Sequence, residues 1–353
     1  MVKKRQLLCL NGDGISEEIM AATLAVFDTV RPLLRRPVTI IEDQVGFAAL
    51  AQSGTTITEA VIKAAASADG IILGPVSHNS YPPVADGGLN PSGVLRKTLS
   101  LYANIRPAFS FDGLPKPTKH KFDLVVMREN LEGFYADRNM ADGPGEVMPV
   151  DGVALAFRRI TREASYNIAK AGFELAMKRQ KKTVTAIHKA NVMRLSDGLF
   201  LDTVRDVAAS YPDIAYDEML VDAAAALLVR DPGRFDVLVT TNMFGDILSD
   251  LASELSGGLG LAGSLNAGHD HVMAQAQHGS APDIAGQDKA NPTSLILSLA
   301  MLLHHWGETD AADRINNAVA TLLATADART VDLGGMLTCS AFAALLCQHI
   351  SGD

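Results

Sequence analysis

Short apolar runs alternate with longer amphipathic segments along most of the chain. Apolar runs rich in β-branched residues are typical of buried strands, and apolar residues spaced three or four apart are typical of helices. Strands are predicted at residues 6–11, 38–42, 70–73, 123–127, 183–187 and 235–240, and helices at 16–30, 58–68, 162–179, 197–210, 222–230, 244–255 and 293–306. This alternation predicts an α/β protein with a largely parallel central sheet, and Ser16 is expected to cap the first helix.

The segment from about residue 136 to residue 160 departs from this alternation. It contains PGEVMP followed by VALAFRR, a pattern that is typical of a two-stranded hairpin. We therefore expect an arm in this segment, and we expect the arm to pair with a partner chain.

Length, charge and cysteine content limit the class of protein. With 353 residues, of which 48% are hydrophobic and 20% charged, the chain fits two domains or one large α/β unit. The net charge of −9 argues against nucleic-acid binding as the main function. No apolar stretch approaches the roughly 18 residues of a membrane span. Cys9, Cys339 and Cys347 have no paired spacing, which is typical of a reducing compartment, so a cytoplasmic location is expected.

Two glycine-containing segments are candidates for binding a nucleotide. Residues 12–17, GDGISE, half resemble a dinucleotide fingerprint, but they lack its third glycine, so a tight strand-to-helix turn is the better interpretation. Residues 278–292, HGSAPDIAGQDKANP, lie directly before a predicted helix. Such a loop can hold an anion through backbone N–H groups at the helix N-terminus, or it can be only a connector.

Two aspartates follow the last predicted buried strand. Asp246 and Asp250 are four residues apart in a helical segment, so both project from one helix face. Two like charges at this spacing repel each other. The face is therefore either exposed to water, which screens the charges, or part of a site that needs both carboxylates. The position after a strand of a parallel sheet is where α/β proteins bind ligands, and paired carboxylates suit Mg²⁺ or Mn²⁺. Asp222, at the start of another predicted helix, is a candidate third ligand.

Three arginines are candidates for binding an anionic substrate. Arg106 and Arg128 lie in strand-like runs, and Arg96 lies in a helical segment. Converging arginines hold carboxylates through bidentate hydrogen bonds, whereas a lone arginine is usually a surface charge. The residues alone leave both interpretations open.

Six segments of the chain resemble, in the same order, those of one enzyme family, the metal-dependent β-decarboxylating dehydrogenases that act on isocitrate, homoisocitrate, 3-isopropylmalate, D-malate and tartrate. The resemblance covers essentially the whole sequence. The segments are NGDGISEEI, LRKTLSLYANIRP, MRENLEGFY, HKANVMRLSDGLF, NMFGDILSDLASELSGGLGL and HGSAPDIAGQDKANP.

This resemblance implies a two-domain α/β/α fold that differs from the Rossmann fold. Residues 1–101 and 257–353 are expected to form a large cofactor-side domain, and residues 102–256 a small domain that carries the arm. The active site is expected in a cleft between the domains. A homodimer is expected, with active sites that both chains share.

The resemblance also implies roles for individual residues. Arg96, Arg106 and Arg128 match residues that hold substrate carboxylates. Tyr135 matches the acid that protonates the enolate after carbon dioxide leaves, and Lys189, from the partner, matches the residue that helps to deprotonate the 2-hydroxyl. The Mg²⁺ or Mn²⁺ ligands are expected to be Asp246, Asp250 and the Asp222 that the partner chain supplies. The implied reaction is oxidative decarboxylation of a 2-hydroxy acid that bears a 3-carboxylate.

The loop at residues 278–292 is similar to the family's cofactor loop. Asp283 matches the acidic residue with which NAD-dependent members bind the ribose hydroxyls, and a carboxylate there repels a 2′-phosphate. NADP-dependent members tend to have Lys-Tyr where this chain has Asp283-Ile284, so NAD is the expected cofactor. The expected cofactor-binding residues are His278, Gly279, Ser280, Ala281, Asp283, Ile284 and Asn291.

The residues before Arg96 bear on the substrate. Asn90 and Ser92 stand near positions where isopropylmalate enzymes tend to have leucines, and a polar pocket favours a polar substituent. Isocitrate or homoisocitrate is therefore favoured, while 3-isopropylmalate, D-malate and tartrate remain alternatives. Gln275 replaces a glutamate that is usual in the family. A non-catalytic regulatory subunit is a further alternative, although all the residues named for catalysis are present.

Overall fold

The computed structural model describes residues 4–135 and 145–352. Its strands are β1 (Arg5–Asn11), β2 (Val38–Gln44), β3 (Gly70–Leu73), β4 (Ala103–Phe109), β5 (Asp123–Glu129), β6 (Glu146–Val150), β7 (Val153–Ala156), β8 (Thr183–His188), β9 (Ala215–Leu220), β10 (Val237–Thr240), β11 (Leu265–Ala267) and β12 (Val272–Gln275). Its helices in the same ranges include α1 (Ser16–Val30), α2 (Phe47–Ser53), α3 (Glu59–Ser67), α4 (Pro91–Thr98), α5 (Arg162–Met177), α6 (Ser196–Ala208), α7 (Val221–Arg230), α8 (Asn242–Ser256), α9 (Thr293–His305), α10 (Thr309–Ala324) and α11 (Cys339–Ser351).

The internal contacts divide the chain into two compact units. Unit 1 consists of Met1–Leu99, Phe111–Lys116 and Gly257–Asp353, and unit 2 consists of Ser100–Ser110 and Pro117–Ser256. The two ends of the chain therefore fold together in unit 1. The predicted cleft between domains stays a prediction.

Unit 1 is built on five strands in the order β2-β1-β3-β12-β11. The first four run parallel, and β11 pairs antiparallel with β12. The interior strand β1 is buried from Leu7 to Leu10, which explains its continuous apolar run. Helix α1 packs against α9 and α11, and α9 also packs on β12. The loop that follows β12 and leads into α9 contains the candidate cofactor residues.

Unit 2 is a three-layer structure with strand order β4-β5-β10-β8-β9. Strands β5, β10, β8 and β9 are parallel, and β4 pairs antiparallel with β5. Alternate residues of β5 face opposite sides, because successive side chains of a strand point in opposite directions. Val125 and Met127 pack with α5 and α6, whereas Leu124 and Val126 pack with α7 and α8. Because β5, β10 and β8 run parallel, their carboxyl ends lie at one edge of the sheet.

The predicted arm is only partly within the described residues, because residues 136–144 lie outside them. Strands β6 and β7 pair antiparallel, as expected for a hairpin, and all their residues are exposed. Large apolar side chains that are turned to solvent here are Val147, Met148, Val150, Val153, Leu155 and Phe157.

Several local predictions differ from the structure. Ser16 is not the N-cap of α1, which is Ile15; the Ser16 hydroxyl instead accepts a hydrogen bond from Gly12 N at 2.7 Å and closes the strand-to-helix turn. Strands β9, β11 and β12 were not predicted. Within residues 4–135 and 145–352, no helix is both long enough and apolar enough to cross a membrane.

Candidate active site

The polar cluster of unit 2 lies where β5 ends and α8 begins. Strand β10 ends at Thr240, and α8 starts two residues later at Asn242, so Asp246 and Asp250 fall on its first turns. Gly245 permits a close approach of α8 to β5, because a Cβ atom at this position would lie 2.6 Å from Cβ of Arg128. The missing side chain therefore allows the aspartates of α8 to reach the arginines of the sheet.

Arg128 is the centre of this cluster and is almost fully buried. Its Nε and Nη2 donate to Oδ1 of Asn242 at 3.0 and 2.8 Å, and its Nη1 forms a short ion pair with Asp246. Nη2 also donates to the hydroxyl of Tyr135 at 2.8 Å. The guanidinium is thus held by three side chains from two segments, α8 and the loop after β5, which fixes its orientation.

Arg106 lies on the neighbouring strand β4 and points at the same carboxylates. Its Nη1 lies 3.1 Å from Oδ1 of Asp246 and 3.2 Å from Oδ1 of Asp250, and it donates to Oγ of Ser249 at 2.7 Å. Burial, followed by the positive charge of Arg128, lowers the pKa of Arg106 to about 10. Two arginines of the predicted substrate clamp therefore converge on the two predicted metal ligands.

Tyr135 reaches the cluster from the loop after β5, and its hydroxyl donates a short hydrogen bond to Asp246. The start of this loop is shaped by Glu129, whose carboxylate accepts hydrogen bonds from the backbone N–H of Leu131 at 2.7 Å and of Glu132 at 3.0 Å. Burial, and then the neighbouring Glu132, raises the pKa of Glu129 to about 7.

Lys189 and Asp222 form a separate pair. Nζ of Lys189 lies 2.6 Å from Oδ1 of Asp222, and this hydrogen bond is the main cause of a lowered pKa of Asp222. Lys189 follows β8 directly, and Asp222 lies in the first turn of α7. The expectation that both serve a neighbouring protomer stays a prediction.

The chemistry of the cluster fits a hard divalent cation only in part. Asp246 and Asp250 present carboxylate oxygens that meet at the same Arg106 nitrogen, and their side chains are 35% and 50% exposed. Oxygen donors of this kind suit Mg²⁺ and Mn²⁺. In the described ranges, no group of three or more His, Cys, Asp or Glu residues is arranged to hold a metal. A complete site would need further donors from substrate, water or a second chain.

A buried ion pair that the sequence did not reveal supports several of these residues. Arg158 and Asp197 pair through a short contact, with side chains that are 7% and 0% exposed. The other carboxylate oxygen of Asp197 accepts from the backbone N–H of Lys189 at 2.5 Å. Arg158 also donates to Oγ1 of Thr241 at 3.0 Å and stacks on Phe134, beside Tyr135. The pair therefore connects the segments that carry Lys189, Tyr135 and the start of α8.

The third predicted arginine lies in unit 1, on the short helix α4. Asn90 is the N-cap of this helix, since its Oδ1 accepts from Gly93 N at 3.3 Å. Ser92 and Arg96 are both buried, and both donate to Oε1 of Gln275, at 2.9 and 3.1 Å. The structure thus gives Asn90 a role in capping and joins Ser92 and Arg96 through a neutral amide.

The predicted cofactor loop borders a pocket of about 250 Å³ in unit 1. Five of the seven expected residues line it, namely His278, Gly279, Ala281, Ile284 and Asn291, together with residues that include Ile15 and Asp332. Asn291 donates to Asp332 at 3.0 Å, and burial lowers the pKa of His278. Asp283 is exposed and does not line this pocket. The remaining residue, Ser280, is buried and bonds to Oγ of Ser77 at 2.7 Å.

The turn before α1 holds this loop in place. Ser280 O accepts a hydrogen bond from Ile15 N at 2.9 Å. Gly14 has φ of +59°, and a Cβ there would lie 1.9 Å from Ser280 O, so only glycine fits. The GDG segment is therefore a turn, as interpreted from the sequence, and it packs directly against the loop expected to bind the cofactor.

Comparison with known proteins identifies the family. The family model described as isocitrate/isopropylmalate dehydrogenase matches residues 6–346. The chain belongs to the isocitrate/isopropylmalate dehydrogenase family. It is 39% identical to a mitochondrial NAD isocitrate dehydrogenase regulatory subunit of Dictyostelium discoideum, over 99% of this chain and 93% of the relative.

Two further relatives support the same assignment to the isocitrate/isopropylmalate dehydrogenase family. The mitochondrial NAD isocitrate dehydrogenase catalytic subunit 5 of Arabidopsis thaliana is 39% identical over 96% of this chain and 87% of its own length. The crystal structure of isocitrate dehydrogenase from Methylococcus capsulatus superposes with a TM-score of 0.88 at 37% identity, covering 98% of this chain and 99% of that one. The predicted family and the predicted α/β fold class are both confirmed.

Proposed function

We propose that this chain catalyses the NAD-dependent oxidative decarboxylation of a 2-hydroxy acid with a 3-carboxylate, and that this acid is isocitrate or homoisocitrate. The observation that carries the proposal is the cluster of Arg106, Arg128, Tyr135, Asp246 and Asp250 in unit 2. It unites carboxylate-binding cations, a proton donor and metal-type oxygen donors. The relatives named as NAD isocitrate dehydrogenases support the choice of substrate and cofactor.

The arginines of the cluster bind and orient the substrate in this proposal. Arg106 and Arg128 are fixed by the surrounding hydrogen bonds before any ligand arrives, so little side-chain entropy is lost when they bind a carboxylate. Burial strengthens their interaction with an anion, because the local dielectric is low. When bound, the divalent metal would polarise the substrate's hydroxyl and carboxylate oxygens and NAD would accept a hydride.

Tyr135 and Lys189 handle the protons. The hydroxyl of Tyr135 accepts a hydrogen bond from Arg128 and donates one to Asp246, so it is held inside the cluster, and we assign it to the donation of a proton to carbon. We assign Lys189 to the removal of the 2-hydroxyl proton. In the single chain its Nζ donates to Asp222, so this hydrogen bond must be released before the lysine takes the proton.

We further propose that the metal and cofactor sites use the residues expected for the family. Asp246 and Asp250 of one chain, with Asp222 of a second copy, would hold Mg²⁺ or Mn²⁺. The loop from His278 to Asn291, including Asp283, would hold NAD. The exposed apolar hairpin β6–β7 supports a homodimer with shared sites. The Dictyostelium and Arabidopsis relatives are mitochondrial subunits by name, so the homodimer and a cytoplasmic location of this chain stay predictions.

The alternatives differ in the substrate or in the class of protein. A pocket with Ser92, Arg96 and Gln275 is polar, which disfavours the isopropyl group of 3-isopropylmalate. D-malate and tartrate are smaller acids with no third carboxylate. The Dictyostelium relative has a regulatory role by name, so a non-catalytic subunit is the alternative of another class.

The deciding experiment measures NADH formation by the whole protein with NAD and Mn²⁺ and a panel of acids. The panel contains isocitrate, homoisocitrate, 3-isopropylmalate, D-malate and tartrate. We expect the highest kcat/KM for isocitrate or homoisocitrate. If 3-isopropylmalate is preferred by tenfold or more, about 1.4 kcal/mol, the polar-pocket argument is wrong. If no acid is oxidised, the chain is better interpreted as a non-catalytic regulatory subunit than as an enzyme.

A further inference from the structure

The side chain of Arg158, two residues after β7, lies over two aromatic rings. Its Cζ is 5.6 Å from the ring centroid of Phe134 and 5.5 Å from that of Phe244. Phe134 directly precedes Tyr135, and Phe244 lies in α8, two residues before Asp246. A planar guanidinium stacks well on aromatic faces. Arg158 is therefore in contact with both segments that lead into the candidate active-site cluster.

The loop that carries Tyr135 is also attached to the segment of Arg158 through its backbone. Gly133 N–H donates to Arg159 O at 2.9 Å, and Arg159 N–H donates to Gly133 O at 3.1 Å. This pair of hydrogen bonds forms an antiparallel bridge one residue away from both Phe134 and Arg158. The position of Tyr135 consequently depends on where the side chain of Arg158 is anchored.

The anchor of Arg158 is the segment that carries Lys189. Its Nη1 donates to Ser196 Oγ at 2.8 Å and pairs with Asp197. The second carboxylate oxygen of Asp197 accepts from the backbone N–H of Lys189 at 2.5 Å. The carbonyl oxygen of Lys189 accepts from Met193 N–H at 2.9 Å. The peptide groups on both sides of the Lys189 Cα are thus held in place, one of them by the carboxylate that Arg158 orients.

We propose that Arg158 is a positioning residue for both proton transfers, because it holds Tyr135 through Phe134 and Lys189 through Asp197. This inference rests on the proposed function, in which Tyr135 gives a proton to carbon and Lys189 removes the 2-hydroxyl proton. Arg158 acts through these neighbours and not on the substrate. The requirement is strict, since a displacement of about 1 Å of a reacting group can lower a rate about a hundredfold.

The shape of the Arg158 side chain matters in this proposal as well as its charge. A lysine at this position would still supply a positive charge to Asp197. A single ammonium group cannot lie flat over Phe134 and donate in fixed directions to Asp197 and Thr241 at the same time. The change Arg158→Lys therefore keeps the charge compensation and removes the planar anchor.

The test compares the wild type with Arg158→Lys in steady-state assays in H₂O and in D₂O, with NAD, Mn²⁺ and the preferred acid of the substrate panel. We expect Arg158→Lys to lower kcat by about tenfold or more, because misplaced groups transfer protons slowly. The ratio of kcat in H₂O to kcat in D₂O should rise, since proton transfer then limits turnover. KM should change by less than about threefold, because Ser249 and Asn242 hold the substrate-binding Arg106 and Arg128.

Arg162→Lys is the matched control, because it makes the same change at a side chain of unit 2 that is 62% exposed. It should leave kcat and the isotope ratio unchanged. A purely structural defect in Arg158→Lys would reduce the amount of active enzyme without changing the isotope ratio, and urea unfolding of both variants measures their stability directly.

Two results would overturn the inference alone while the wild type is active. One is a wild-type kcat in Arg158→Lys, and the other is a lower kcat with an unchanged isotope ratio. If the wild type oxidises none of the acids in the panel, the proposed function and the inference are both wrong.

Discussion

The two units hold their candidate site residues in different ways. In unit 2, Arg106 and Arg128 share Asp246, and Arg158 is paired with Asp197, so charges compensate one another in low-dielectric surroundings. In unit 1, Ser92 and Arg96 meet a neutral amide, and the cofactor loop is tied by backbone and hydroxyl hydrogen bonds.

The difference has an energetic meaning. Removing one partner of a buried ion pair lowers the free energy of unfolding strongly, because the remaining charge is left uncompensated. Loss of a neutral hydrogen bond costs only about 1 kcal/mol. Unit 2 is thus expected to fix geometry for chemistry, and unit 1 to discriminate between ligands through polarity and shape. The following predictions test this contrast, beginning with the largest expected effect.

Asp246→Asn is expected to abolish most of the turnover. The substitution removes a carboxylate that both arginines and Tyr135 contact and that we assign to the metal. Loss of several kcal/mol of charge stabilisation corresponds to a fall in kcat/KM of roughly a thousandfold. Initial rates with isocitrate at saturating Mn²⁺ and NAD measure it. Asp206→Asn, at a highly exposed carboxylate of unit 2, is the control, and a value for Asp246→Asn within threefold of wild type would contradict the assignment.

Arg158→Met is expected to lower the free energy of unfolding by about 3–5 kcal/mol, because Asp197 is then buried without its ionic partner. Urea unfolding followed by circular dichroism measures the change. Combining Arg158→Met with Asp197→Asn should recover part of the loss, since the unpaired charge is removed. Gln275→Ala in unit 1 should cost less, about 2 kcal/mol, because it removes one neutral hydrogen bond and one from a charged donor. Equal costs for Arg158→Met and Gln275→Ala would remove the contrast between the units.

Asp283→Lys is expected to shift the cofactor preference from NAD towards NADP by about tenfold, or 1.4 kcal/mol, because the ammonium attracts the 2′-phosphate that the carboxylate repels. The ratio of kcat/KM values for the two cofactors measures this shift. Asp327→Lys makes the same change of charge at another exposed position of unit 1 and should leave the ratio unchanged. A shift in both variants would indicate a general electrostatic effect instead of ribose recognition.

Glu129→Gln is expected to have the smallest effect, and this effect depends on pH. The pKa of Glu129 is raised from 4.5 to about 7 in the folded chain, so its contribution to stability is present below about pH 4.5 and is lost as the pH rises to about 7. Relative to wild type, the variant should gain unfolding free energy as the pH rises from about 5 to about 8. Parallel urea titrations with exposed Glu254→Gln as control measure it, and a pH-independent difference would contradict the prediction.

The parts of the fold that were predicted share a strong pattern. Helix Ser16–Val30 and strand Gly70–Leu73 have the predicted bounds, because each has a continuous apolar face or run. Strand β9 was missed because the acidic residues of AYDEML hide its pattern on a half-exposed edge strand. Strands β11 and β12 have only three and four residues, which is too short for a periodic signal.

The candidate site shows the same limit: contacts between residues close in the sequence could be predicted, and contacts between distant residues could not. Asp246 and Asp250 were readable as neighbours because helical spacing is local. The N-cap role of Asn90 was not predicted, although Asn followed by Pro is typical of a helix start. In contrast, Arg158 and Asp197 are 39 residues apart, and nothing in either segment indicates the other. The contacts of Gln275 with Ser92 and Arg96 join residues about 180 positions apart and needed the tertiary structure.

The hairpin β6–β7 has a consequence for how the stability of this protein should be quoted. In the single chain, six large apolar side chains in and directly after the hairpin are 40% to 66% exposed. In the proposed homodimer, the second copy would cover them and would bind only the folded form. By mass action, each tenfold dilution then removes about 1.4 kcal/mol of stability per dimer. The melting temperature is therefore expected to fall on dilution, so that protein concentration belongs beside pH and salt in every stability measurement on this chain.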